Sequence, residues 1–450
     1  MKKMTMVLLL VSVTIFSFAQ NIDKIINSKE VERIERILSA DDMEGRRTFT
    51  PGIDKAAEFI SDEFKKTGLN TVNNSGTYLQ SFSLLRPKII TSSCIVNGAA
   101  VEAKDVVMIT SKEDLKFNEK SGFEKVTITK GSNLNVELGK YLNSKRNYFV
   151  LVDTSFSKTF VNSLARARSQ VYKSDYSIVF VLYAGEVQTY AVEAKNEFTE
   201  QKLANVVGIL PGKSRKNEYV IFSGHYDHLG IQGKDRQGNV QADSIFNGAN
   251  DDAAGTTAMM MLAKYFKALN NNERTLIFAA FTAEEVGGFG ATYFSRQYDP
   301  ADVMAMFNIE MIGTESKWGR NSAYITGYER TDMGKILQSN LEGTGFTFYP
   351  DPYFPMPSRG NLFFRSDNAT LARLGVPAHT ISTAKMENPP EPNYHQASDE
   401  IGTLDMENMA LIIKAIALSS KGIVSGKETP SRVDVSELTR PTVPAATQRQ

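Results

Sequence analysis

The chain has 450 residues, with 51 Lys plus Arg against 51 Asp plus Glu, four histidines and one cysteine. Charge balanced in this way gives no electrostatic case for nucleic acid or an acidic membrane as partner. A single cysteine, Cys94, excludes an intramolecular disulfide, and the length suffices for one large domain with an insertion or for two domains.

Residues 1–19, MKKMTMVLLLVSVTIFSFA, carry Lys2 and Lys3, an apolar run, and Ser17 and Ala19 at the small-residue positions of a cleavage site. They are expected to form a secretory signal peptide, with the mature chain starting at Gln20 and the protein secreted or periplasmic. No later segment is apolar for long enough to span a bilayer, so no membrane anchor is expected. Residues 20–94 are expected to form an N-terminal helical part of the main domain. The run 28–39, SKEVERIERILS, has the spacing of an amphipathic helix capped by Ser28. In 53–67, Ala56, Ala57, Phe59, Ile60 and Phe64 make an apolar stripe that Gly68 ends. The intervening DDMEGRRTFTPG has the composition of a turn-rich linker, with Arg46 and Arg47 expected at the surface.

From about Tyr78 the pattern changes to short β-like runs separated by turns rich in Lys, Asn and Gly, and 95–203 is expected to be a β-rich accessory domain inserted in the main fold. The main domain resumes over 204–426. NVVGIL (205–210) and the strand at 219–223 are expected to pair across the turn 211–217. A helix is expected over 254–269 and an apolar strand over 275–281. Further strands are expected at 303–309, 322–325 and 378–382, and helices at 332–339, 367–374 and 404–419. This alternation predicts an α/β fold of three layers, a mostly parallel or mixed central sheet with helices on both faces. Residues 427–450, containing Pro, Thr and Ser without apolar periodicity, are expected to be a disordered tail.

Ligand-type residues gather where these strands end. His225 and Asp227 close the strand at 219–223; Asp251 and Asp252 precede the helix at 254; Glu284 and Glu285 follow the strand at 275–281; Glu310 follows the strand at 303–309; His395 lies in a late polar segment. Adjacent carboxylates at the mouth of an apolar strand are costly without positive compensation, and no Lys or Arg adjoins these pairs in sequence. Metal ions supply that compensation, and a mixture of imidazole and carboxylate favours zinc over magnesium or calcium. The residues suffice for two Zn2+ ions: Asp251 as bridge, His225 and Glu310 on one ion, Glu285 and His395 on the other, and Glu284 left as base. Within the His-x-Asp pair, one residue can bind a metal while the other orients it. Amide hydrolysis is the natural reaction of such a centre.

As an ordered set, GHYDHLG (224–230), GANDDAAG (248–255), FTAEEVGGFG (281–290), NIEMIG (308–313), RSDNATLARLGVPA (365–378) and YHQASDE (394–400) resemble the co-catalytic two-zinc exopeptidases of the aminopeptidase Y family. That family includes bacterial leucyl-type aminopeptidases, glutamate carboxypeptidases and glutaminyl cyclases. The resemblance implies a zinc exopeptidase-like fold and peptide substrates. It also implies His225, Asp251, Glu285, Glu310 and His395 as metal ligands, Glu284 as general base and Asp227 as the partner that orients His225. Arg365, Ser366, Asp367 and Tyr394 are expected to contact substrate, and His228 and His379 are left outside the ligand set. Two departures stand out: Glu310 where relatives usually have Asp, and Asn368 where many have His. The implied activity is that of an aminopeptidase. A carboxypeptidase or dipeptidase would need a cation for the substrate carboxylate, for which Arg365 is available, and a glutaminyl cyclase would use one zinc. The oligomeric state is left open.

Overall fold

The computed structural model describes residues 22–142, 144–233, 240, 242–354, 361–387 and 390–438. The expected signal peptide and the last residues of the expected tail lie outside them. The chain divides into two compact units, one made of the residues up to Ser81 together with Ala204–Leu438, the other of Phe82–Leu203. No described helix is long and apolar enough to cross a membrane.

In the first unit, strands lie in the order Thr347–Pro350, Ser322–Ile325, Ala378–Ser382, Val303–Ile309, Arg215–His225, Arg274–Phe281 and the end of Tyr190–Leu210. The four from Ala378–Ser382 to Arg274–Phe281 run parallel, and Tyr190–Leu210 returns antiparallel. Central strands of this kind are buried on both faces and so read as continuous apolar runs. Val220, Phe222, Leu276, Phe278, Ala305 and Phe307 face one core. Their neighbours Ile221, Ile277, Ala279, Phe281 and Met306 face the other. Helices Ser28–Leu38, Pro51–Thr67, Ala254–Leu269 and Met406–Ser419 contribute to the first core, and Phe289–Ser295 and Asn368–Ala372 to the second. Met259, Met260 and Met261 are all within 1% of full burial, so this run is core filler worth about 1.5–3 kcal/mol per side chain.

Several expectations are corrected. The strand at 219–223 does not pair with 205–210, because Arg274–Phe281 lies between them: Ile277 sits opposite both Ile209 and Ile221. The strand whose residues 276–281 are all apolar takes the position between them, which sequence adjacency does not reveal. The first helix is capped by Asn27, whose side chain accepts from the Glu30 N–H, rather than by Ser28. The chain is not yet a loose tail at 427. Arg274 donates to the Glu428 carbonyl and the Thr429 hydroxyl, and Val433 is buried against Gly375.

The second unit begins at Phe82 rather than at 95, because one strand, Leu79–Val96, carries the chain out of the first unit. It is β-rich and also contains helices Leu134–Leu142 and Phe160–Ser169. Its sheet has the order Val106–Ile109, Ile178–Leu182, Tyr148–Val152, Glu124–Ile128, the last three parallel. Parallel neighbours need a crossover, which those helices provide.

Glu35 yields a stability prediction. It is fully buried between helices, Oε2 accepts from the Thr257 hydroxyl at 2.8 Å, and Oε1 has no partner. Burial pushes its carboxyl up to about 8. The folded chain therefore holds a proton that the unfolded chain releases near pH 4, and stability falls as pH rises from there toward 8. Glu35→Gln cannot ionise, so its stability relative to the parent should grow across that window, by about 1–4 kcal/mol at pH 8. Denaturant melts at each pH check this, and a pH-independent difference would contradict it.

Candidate metal centre and active site

The sheet changes direction beside Arg215–His225. The chain passes through Ala254–Leu269 to Arg274–Phe281 on one side, then through Phe289–Ser295 to Val303–Ile309 on the other. Crevices at the carboxyl ends of strands at such a switch point are where open α/β sheets bind ligands. Here those ends deliver His225, Glu284, Glu285 and Glu310, while the loop before Ala254 delivers Asp251.

The expected ligands converge. His225 Nε2 lies 3.3 Å from Asp251 Oδ1, and His395 Nε2 lies 3.0 Å from Asp251 Oδ2 and 3.3 Å from Glu285 Oε1. Donor atoms of His225, Asp251 and Glu310 form one group within 4.8 Å, and those of His228, Asp251 and Glu285 form a second. Asp251 is common to both, as a bridge must be. Glu310 reaches its group despite the extra methylene. Asp251 Oδ2, Glu285 Oε1 and Glu310 Oε2 are buried without a hydrogen bond, a cost that bound cations would offset. By donor chemistry and by these orphaned oxygens, the residues fit two zinc ions.

Electrostatics point the same way. Burial alone would lower the His225 imidazole, yet Asp251, Asp252 and Glu284 hold it well above its ordinary range. Burial alone would likewise raise Asp251, but His225 and His395 hold it well below. Burial pushes Glu284 well up, and the charges of Glu285, Asp367 and Glu310 add to this. Asp367 is driven to about 8, again by burial first. The pocket thus gathers more buried carboxylates than imidazoles, a surplus of negative charge that bound cations would offset.

Asp227 acts differently from expectation. The His225 ring is held through Nδ1 by the main-chain oxygen of Asp227 at 3.1 Å, while the carboxylate stays 3.8 Å away. A carbonyl only accepts, so Nδ1 carries the proton and Nε2 is the nitrogen turned to Asp251. The Asp227 carboxylate instead accepts from the main-chain N–H groups of Glu284 (3.0 Å) and Glu285 (3.3 Å) and from the Thr48 hydroxyl (3.1 Å). It fixes the turn that carries both glutamates.

Three supporting groups have roles that the sequence did not assign to them. Asp252 accepts from the N–H groups of His225, Gly255 and Met311, tying three strand and helix ends together. Gly255 is required there, since a Cβ would lie 2.0 Å from the Ile309 carbonyl oxygen. Asp399 accepts from the N–H groups of Asn250 (2.8 Å) and Asp251 (3.0 Å), joining the His395 segment to the bridging residue. Its position four residues after His395 was the available signal. Arg46 is wholly buried rather than at the surface, and donates to the carbonyls of Leu38, Tyr226, Asn247 and Gly248.

A small cavity adjoins Glu310. Arg365, Ser366 and Tyr394 line it, together with Met311, Tyr324 and Leu362. Arg365 is exposed and donates to the Tyr394 hydroxyl at 3.3 Å, and Tyr394 stacks on His395 with ring centroids 4.1 Å apart. Asp367 is only 2% exposed and is not among the residues that line the cavity. His379 is a core histidine bound to Thr331 and to the Thr326 carbonyl, and burial lowers it to about 4. Asn368, at the departure from the usual His, donates to the Phe363 and Ala378 carbonyls and has a structural role.

Residues 205–419 match Peptidase family M28. A probable zinc metalloprotease of Pyrenophora teres f. teres is 34% identical over 250 residues, covering 52% of this chain and 51% of that protein. Aminopeptidase YwaD of Bacillus subtilis is 28% identical over 236 residues, covering 50% of this chain and 46% of the relative. The chain thus spans about half the length of these curated relatives. Among solved structures, an aminopeptidase from Aneurinibacillus sp. strain AM-1 superposes with a TM-score of 0.52 at 17% identity, covering 94% of this chain and 98% of that one. The zinc aminopeptidase BSAP from Bacillus subtilis gives 0.53 at 16% identity, covering 91% and 99%. The family match covers less than half of the chain, and at 17% and 16% identity the solved structures show a likeness of fold.

Proposed function

We propose that the chain is a zinc-dependent exopeptidase and, within that class, an aminopeptidase acting on peptides in the periplasm or outside the cell. The observation that carries the two-metal chemistry is one carboxylate, Asp251, shared between two donor groups. His225, Asp251 and Glu310 would hold one zinc ion, and Asp251, Glu285 and His395 the other. Bound there, the ions would lower the pKa of a water and polarise the scissile carbonyl. Glu284, fixed by its own N–H on Asp227, takes the proton of the attacking water and passes it to the leaving amine. Tyr394 and Arg365 edge the adjoining cavity and contact the substrate there.

An excess of buried carboxylates suits a substrate presenting a positive amino terminus. The solved structures of similar fold carry aminopeptidase names, and the extracellular site of action rests on the leader expected at 1–19. Arg365 favours the second reading, a carboxypeptidase or dipeptidase. The two are separated by assaying free and N-blocked peptides with and without chelator. Free amino termini should be cleaved, chelation should abolish turnover, and added zinc should restore it. Cleavage confined to N-blocked peptides would overturn the aminopeptidase reading, and chelator-insensitive turnover would overturn the zinc mechanism.

A further inference from the structure

The two-metal reading above gives one position to Asp251, Glu285 and His395 and leaves His228 aside. The fold brings His228 into that position. Its Nδ1 lies 3.0 Å from Glu285 Oε1, the same oxygen that is 3.3 Å from His395 Nε2, and that nitrogen is 3.0 Å from Asp251 Oδ2. The imidazole is 1% exposed, and neither of its nitrogens makes a hydrogen bond; nor do Asp251 Oδ2 and Glu285 Oε1. A buried imidazole with both nitrogens unsatisfied, turned toward carboxylate oxygens that are themselves unsatisfied, is a costly arrangement unless something lies between them. The spacing suits a cation. Zinc bonds of about 2.0–2.1 Å in a tetrahedron place neighbouring donors about 3.3 Å apart, close to the separations of these two nitrogens and two oxygens.

The backbone also holds the ring in place. His228 N–H donates to the Arg46 carbonyl at 3.2 Å, and the ring meets that of His395 edge to face at 5.8 Å. Gly248 leaves room for it, since a Cβ at that residue would lie 2.4 Å from His228 Cγ. On the other side, the donor group is His225, Asp251 and Glu310.

We propose that His228 is itself a metal ligand, the fourth protein donor of the position formed by Asp251, Glu285 and His395. That position is then closed by protein, as structural zinc sites are, whereas the His225 position has three protein donors and an open place for water beside Glu284. The proposal rests on the two-metal reading and makes the two positions unequal.

Metal analysis after equilibrium dialysis against zinc tests it, using the full chain, His228→Ala and His228→Gln. The parent should hold two equivalents. Both variants should hold one tightly, with the second weakened by about 100-fold or more, and the retained equivalent shows that the variants are folded. In parent protein loaded with one equivalent of cobalt(II), the visible absorption should have the intensity of a four-coordinate ion and should fall in both variants. Two equivalents held at parental affinity by either variant would overturn the proposal while leaving the two-metal reading intact. A parent that holds fewer than two would overturn both.

Discussion

Replacing Glu284 by glutamine is expected to lower kcat about 10²- to 10⁴-fold while leaving zinc content unchanged. The glutamine keeps the volume and the main-chain N–H that donates to Asp227, so the turn carrying Glu285 is not disturbed. What it loses is the capacity to accept a proton from water and return it to the leaving amine. Glu284 also lies outside both groups of candidate metal donors, which separates its role from theirs. Turnover of the variant measured beside its metal content checks the expectation, and a fully active Glu284→Gln would remove the assigned base. A variant that lost zinc in parallel would instead make Glu284 part of the metal cradle.

Arg46→Met is expected to cost about 3–5 kcal/mol of stability, because it removes a buried charge and strands its partners. The guanidinium donates to carbonyls from three separate segments, at Leu38, Tyr226, and Asn247 with Gly248, and each buried acceptor left without a donor costs about 1–3 kcal/mol before relaxation. Its positive charge also acts on Glu35, Asp399, Asp227 and Asp252, so its loss leaves these buried carboxylates less compensated. Arg46→Lys should recover only part of the loss, since an ammonium cannot match the planar fork that spans these carbonyls. Denaturant unfolding of the two variants gives the measurement. A change below about 1 kcal/mol in Arg46→Met would show that water or local relaxation replaces the guanidinium.

Much of the candidate site was legible in the sequence because its chemistry is local. An apolar run followed at once by His225, Glu284 with Glu285, or Glu310 marks a strand end bearing a ligand wherever that strand packs. The strands Val303–Ile309 and Ala378–Ser382 and the helix Ala254–Leu269 have the bounds that their apolar pattern predicts. Arg46 was misplaced at the surface for the opposite reason. Its segment has the composition of a turn, and only the packing of residues some 180 to 200 positions away closes over it. Helices Leu134–Leu142 and Phe160–Ser169 were overlooked among β-like runs, because nine or ten residues with a few apolar positions fit either period.

By itself the sequence determined which residue types arrive at the strand ends, a donor set of the kind that suits metal ions and proton transfer. Tertiary structure alone decided which atoms meet there. It inserts Arg274–Phe281 between two strands that are neighbours in sequence, and turns the Asp227 carboxylate to the glutamate turn instead of the histidine. It also brings His228 against Glu285 and places Asp399 under Asp251. Sheet order and convergence of side chains depend on burial shared among distant segments, and no local pattern records that.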